Sequence, residues 1–185
     1  MNTILDTVRS FASEAHQGQM RKFSPEPYIV HPIRVSEIVK YYNPRLPVMA
    51  AALLHDVVED TLVSETALSV FLHNIMEPEE AAETLRLVMQ LTDVYVKSSY
   101  PQLNRSRRKQ LELERLATIS PDAQTIKYAD IIDNTSEMDS FDPEFGPEYL
   151  QECLAILKKA DKGNVSLRTK ALENVKDNLY AIQRD

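Results

Sequence analysis

The chain has 185 residues, of which 43 % are hydrophobic and 26 % charged, and it carries a formal net charge of −7. That composition is ordinary for a globular domain and argues against disorder. The acidic balance lacks the footprint of a DNA or RNA binder, which excludes a nucleic-acid polymer as partner, but a small anionic substrate stays open because a metal or local Arg/Lys cluster reverses the field at one site.

Taken in chain order, the first residues show neither the basic nor the apolar segment of a signal peptide, and no apolar run approaches the ~20 residues needed to span a bilayer. A cytoplasmic protein without a membrane partner is expected. Ile4, Val8, Phe11, Ala12 and Ala15 fall on one face of a first helix. Ser24-Pro25-Glu26-Pro27 is a loop, since two prolines do not fit a helix interior. Val35, Ile38 and Val39 mark a second helix, opened by Pro32 near its first turn, where proline is tolerated. Asn43 to Pro47 is a break, and residues 49–58 form a strongly apolar run that reads as one buried helix. Further helices are predicted over residues 61–72, 79–91 and 107–119. Ser120-Pro121-Asp122 has the form of a helix start, with Ser120 as the N-cap and Pro121 at the first helical position. A surface turn is expected over residues 141–147, then helices over 149–159 and 164–182. Cys153, the single cysteine, allows no intrachain disulfide and reads as inert packing, which suits a reducing compartment. Glycine occurs only three times and no segment sustains a period of two, so the fold class is all-α, a single bundle-like domain over residues 1–185.

The stretch Leu54-His55-Asp56-Val57-Val58-Glu59-Asp60-Thr61 sets four ionisable residues in or at the end of an apolar helix. Residues four apart share a helical face, so His55 sits above Glu59 and Asp56 above Asp60. Burying several acidic groups together is costly unless a cation compensates, and imidazole nitrogen with carboxylate oxygen is a suitable donor set for a divalent metal. His31 stands where a loop becomes a helix, from which a ligand can point into a cavity. Asp130 lies in a largely apolar helical run, with Lys127 one turn before it and Asn134 one turn after it on the same face. Asp130 reads either as the partner of Lys127 in an ion pair or as a metal ligand beside a substrate-contacting neighbour. Arg21-Lys22 reads as a solvated charge pair or as a phosphate clamp. Residues 104–109 offer cations to a polyphosphate, or simply a solvated helix start.

The ordered set His31 … His55-Asp56 … Asp130 resembles the four-ligand signature of the HD superfamily of metal-dependent phosphohydrolases. Arg21-Lys22, Pro27-Tyr28-Ile29 before His31-Pro32, the words around His55, and Lys127-Tyr128-Ala129-Asp130 with Asn134 resemble the hydrolase domain of RelA/SpoT proteins. The short chain resembles the stand-alone small alarmone hydrolases, the metazoan SpoT homologue among them. The likeness covers residues 11–138, with C-terminal helices over 145–183. It implies an HD-domain helical bundle in which His31, His55, Asp56 and Asp130 hold one divalent metal, typically manganese. It implies Glu59 and Asp60 as the catalytic acidic pair acting on the attacking water, and Arg21, Lys22 and Asn134 as substrate contacts. The implied reaction removes pyrophosphate from the 3′ position of ppGpp or pppGpp, as in the stringent response. Departures lie near the expected nucleotide pocket. Asp130 is followed by Ile131 rather than a basic residue, and Asn134 is preceded by Asp133 rather than an aromatic or His. An adenosine alarmone of the ppApp type, NADPH as substrate, and a non-catalytic HD regulatory module are the alternatives.

Overall fold

The computed structural model of the chain describes residues 3–22, 24–136 and 145–182. The turn expected over residues 141–147 lies outside them up to residue 144, as does the end of the motif-bearing stretch at residue 138. Among the described residues the chain is all-helical: α1 Ile4–Ala15, α2 Val30–Lys40, α3 Leu46–Leu54, α4 Val57–Asp60, α5 Glu65–Ile75, α6 Pro78–Leu91, α7 Arg105–Leu116, α8 Pro121–Ser136, α9 Phe145–Lys159 and α10 Val165–Ile182. None of these helices is long and apolar enough to cross a membrane.

Two helices organise the bundle. In α3, Pro47, Val48, Ala50 to Ala52, Leu53 and Leu54 are all buried, as befits a helix that is apolar all round. α1, α2 and α6 pack on it. α8 is the second centre and lies against α2, α6, α9 and α10. Its Tyr128 faces the turn between α9 and α10, where its hydroxyl donates to Ala160 O at 2.7 Å. Gly163 closes that turn at a point where any side chain would collide, since a Cβ there would come within 2.6 Å of Tyr128 Cε2. Cys153 is buried on α9, and burial pushes its thiol pKa up to about 12, so it stays an unreactive packing group.

Two predicted boundaries move in ways that shape the site. The apolar run 49–58 is not one helix: α3 ends at Leu54 and α4 begins at Val57. The break comes from His55, whose Nδ1–H donates to Ala52 O at 2.9 Å, and from Asp56, whose backbone sits at φ −99°, ψ −5°. The predicted helix at 61–72 starts later, at Glu65, because Thr61 folds back to donate to Val57 O at 2.6 Å and Ser64 provides the cap. Ser120 and Pro121 open α8 as predicted, with Ala123 N donating to Ser120 Oγ at 3.4 Å.

Candidate metal centre

The loop between α1 and α2 is closed by backbone bonds from Arg21 N to Glu26 O (2.9 Å) and from Tyr28 N to Gln19 O (3.0 Å). It delivers Arg21 and Tyr28 to the same end of the bundle as the His55–Asp56 break. His31, second residue of α2, and Asp130, in the middle of α8, complete the group.

Four donor atoms converge there. His55 Nε2 lies 3.1 Å from Asp56 Oδ2 and 3.7 Å from Asp130 Oδ1. His31 Nε2 lies 3.2 Å from Asp130 Oδ1 and 3.6 Å from Asp56 Oδ2. His31, His55 and Asp56 have ligand atoms within 4.8 Å of one another, and Asp130 joins through its distances to both imidazoles. The four residues predicted as ligands are thus brought together.

The donor set fits a cation. His55 Nδ1–H is spent on Ala52 O, so Nε2 is the nitrogen turned to the carboxylates, and that buried atom has no hydrogen-bond partner among the described residues. A lone pair aimed at two carboxylate oxygens is stable only with positive charge between them. Burial opposes charge on His55, yet the Asp56 and Asp130 carboxylates outweigh it and hold the imidazole pKa well above its ordinary value. Asp56 and Asp130 are correspondingly held below the usual carboxylate range: burial opposes this too, but His55 overcomes it at Asp56, and Lys127 with the two imidazoles does so at Asp130. The site demands a cation, which a metal or a proton satisfies.

Around the donors stands a layer of partners. Lys127 Nζ donates to Asp130 Oδ2 at 2.7 Å, and Asn134 Nδ2 donates to Asp130 Oδ1 at 2.7 Å. Tyr28 donates its hydroxyl to Asp56 Oδ2 at 2.6 Å, with Asp60 Oδ2 3.3 Å away, so it links a ligand to the acidic pair. Asp133 Oδ2 accepts from His31 Nδ1 at 2.7 Å. Sequence reasoning does not single out Tyr28 or Asp133 as site residues. The only signals there are the position of Tyr28 in the Pro-Tyr-Ile word and the presence of Asp133 where the resembled motif has an aromatic or His.

Glu59 and Asp60 lie at the solvent edge of this cluster. The Glu59 side chain is drawn against the loop after α6, where Oε2 accepts from Asp93 N at 2.8 Å. Although the residue as a whole is exposed, the local loss of water around its carboxyl, then the Asp93 charge, push its pKa up to about 7. Asp60 is also raised, by burial and by Asp56. Buried Glu112 holds the loop in place by accepting from Val94 N and Tyr95 N at 3.2 Å each.

The predicted substrate contacts are distributed differently. The Arg21 side chain is largely covered: its Nη2 lies 3.6 Å from Asp133 Oδ2 and its Nη1 donates to Asn134 Oδ1 at 3.1 Å. Asn134 therefore bridges Arg21 and Asp130. Lys22 is exposed. Beside the cluster, a cavity of about 270 Å³ opens between α7, α8 and α9, bordered by Asp93, Lys109, Lys127, Tyr149 and Cys153. The basic start of α7 is tied to α9 across it: Arg105 pairs with Glu148 and, at 2.7 Å, with Glu152, and Lys109 reaches Glu152 at 3.3 Å.

A family model described as the HD domain matches residues 9–159. The human guanosine-3′,5′-bis(diphosphate) 3′-pyrophosphohydrolase MESH1 is 37 % identical over 143 residues, which are 75 % of this chain and 72 % of that protein. The Danio rerio protein of the same name is 34 % identical over 166 residues, 86 % of this chain and 83 % of its own length. A solved structure described as a metazoan ortholog of SpoT that hydrolyzes ppGpp superposes with a TM-score of 0.78 at 26 % identity, over 97 % of this chain and 98 % of that one.

Proposed function

The chain belongs to the HD-domain family, and from that premise we propose that it is a metal-dependent hydrolase releasing pyrophosphate from the 3′ position of guanosine 3′,5′-bis(diphosphate). The human and Danio rerio MESH1 proteins, which carry this activity in their names, match it over most of their own length. The observation that carries the reading is the convergence of the His31 and His55 Nε2 atoms with the Asp56 and Asp130 carboxylates, beside Glu59 and Asp60.

In this reading His31, His55, Asp56 and Asp130 hold one divalent cation, manganese in the proposal. Such a cation supplies Lewis-acid polarisation of a phosphoryl oxygen and acidifies a water. Glu59 takes the proton of the attacking water, for which a carboxyl pKa of about 7 is well matched to neutral pH. Tyr28 keeps the carboxylates of Asp56 and Asp60 in register. The water oxygen bonds to phosphorus, the bond to the ribose 3′-oxygen breaks, and that oxygen leaves as a hydroxyl once it has gained a proton. Asp60 orients the water or returns that proton. Lys22 and Lys109, at the rim, offset charge on the nucleotide phosphates. The nucleotide product is GDP from ppGpp, or GTP from pppGpp.

The test is turnover with added manganese against ppGpp, ppApp, NADPH and a generic phosphodiester. Pyrophosphate released from ppGpp supports the proposal. Turnover of ppApp or NADPH alone keeps the metal centre and moves the substrate. Metal bound without turnover of any of them favours a regulatory module.

A further inference from the structure

We infer that Asp133 is a positioning residue that fixes His31 for cation binding and draws Arg21 into the wall of the metal centre, away from the nucleotide. The inference rests on the metal-centre reading above. It starts from a closed ring of five side chains. His31 Nδ1 lies 2.7 Å from Asp133 Oδ2, and Asp133 Oδ2 lies 3.6 Å from Arg21 Nη2. Arg21 Nη1 donates to Asn134 Oδ1 at 3.1 Å, and Asn134 Nδ2 donates to Asp130 Oδ1 at 2.7 Å. The ring closes where Asp130 Oδ1 meets His31 Nε2 at 3.2 Å. Two proposed ligands are therefore joined through three residues that touch no cation.

Each link has a distinct consequence. A carboxylate on Nδ1–H holds the proton on that nitrogen and makes Nε2 the better donor, and it stops the ring from turning. Asp133 is 4 % exposed, and a carboxylate that buried needs a cationic partner. Arg21 is that partner, and its side chain is only 8 % exposed. The planar fork of a guanidinium suits this position, because one nitrogen serves Asp133 and the other Asn134, neighbours on α8 that a lysine could not bridge with fixed geometry. An aromatic residue before Asn134, as in the resembled motif, would offer neither a carboxylate to His31 nor a counter-charge to Arg21. With Arg21 engaged by Asp133 and Asn134, contacts to the nucleotide fall to residues nearer the rim.

The test measures cation affinity apart from catalysis. Mn²⁺ is titrated calorimetrically into wild type, D133N and R21Q, and kcat and KM for ppGpp are measured at saturating Mn²⁺. We expect both variants to bind Mn²⁺ about 10-fold or more weakly, the range seen when partners of metal-bound histidines are removed. KM at saturating metal should stay within about threefold of wild type. Unchanged Mn²⁺ affinity in a folded D133N overturns the inference, as does an R21Q that keeps its affinity while KM rises about tenfold. Should D133N not fold, nitrogen-proton NMR of wild type loaded with Zn²⁺ decides: a proton on His31 Nδ1 supports the inference, and a proton on Nε2 alone overturns it. A wild type that binds Mn²⁺ yet leaves ppGpp intact defeats the proposed reaction, while the affinities still decide the role of Asp133.

Discussion

Lys127 donates to one oxygen of Asp130 and leaves the other, Oδ1, facing the two imidazoles. The ion pair and the proposed ligand role are not rivals here but use two ends of one carboxylate. Removing one member of a buried pair typically costs about 3–5 kcal/mol, because the remaining charge loses its compensation. K127M should therefore melt well below wild type. Since a cation at the centre also compensates Asp130, added Mn²⁺ should recover part of that loss, in scanning calorimetry with and without metal. A K127M that melts like wild type in metal-free buffer would contradict this account.

His55→Ala and Asp56→Ala should each abolish both Mn²⁺ binding and turnover, since each removes a donor from the cluster. Asp60→Ala should impair turnover while metal binding persists, because the Asp60 side chain meets the cluster through the Tyr28 hydroxyl rather than as one of the converging donors. Calorimetric titration and pyrophosphate release, run on the same preparations, separate the two effects. Full activity in Asp60→Ala would remove the acidic pair from the mechanism.

Glu59 supplies a pH prediction. If its carboxylate accepts the proton of water, kcat/KM should rise with pH through about 7, the value set by its surroundings. E59Q should lose about 10²–10⁴-fold in rate and that ascending limb with it. Stability moves the opposite way. The folded-state pKa lies above the ordinary 4.5, so the folded chain holds this proton more tightly than the unfolded chain. Ionising Glu59 therefore weighs against the fold, and its contribution declines as pH climbs from about 4.5 to about 7. Denaturant midpoints of wild type and E59Q across that window should diverge as pH rises, with E59Q the more stable.

Gly163→Ala tests the clamp on α8. The added methyl would meet Tyr128 Cε2 at 2.6 Å and the Thr125 backbone nitrogen at 2.9 Å, and the latter cannot step aside cheaply. Overpacking of this kind costs about 1–3 kcal/mol. The melting temperature should fall while Mn²⁺ affinity changes little, because Tyr128 faces away from the ligands. A neutral substitution would mean that the turn yields more readily than its packing implies.

The convergence of His31, His55, Asp56 and Asp130 was legible in the sequence because ionisable residues interrupt apolar helical runs, and such interruptions need a reason wherever the helices pack. The helices themselves followed from their apolar spacing, with α6 and α10 landing within a residue of the predicted bounds. The partner layer was not legible. Whether Asp133 meets His31 or solvent depends on how α2 crosses α8, and periodicity does not report a crossing. The placement of Arg21 was not legible for the same reason: a loop cation has no face until the loop is closed, and here the backbone bonds around Glu26 and Gln19 set it beside Asp133 and Asn134. The break at His55–Asp56 escaped because the apolar run continues on both sides of it, and it is a side chain bonding to the backbone that interrupts the helix.

The clasp between the start of α7 and α9 has one more consequence. Arg105 and Lys109 are about half exposed where they meet Glu148 and Glu152, so their attraction is felt through water and fades as the ionic strength rises past the point where the screening length falls below ~8 Å. The apolar contacts beneath them do not fade in that way. One flank of the cavity beside the candidate metal centre is thus held by exposed charges that dissolved salt screens, and the opposite flank, on α8, by the part-buried Lys127–Asp130 pair, which salt screens far less.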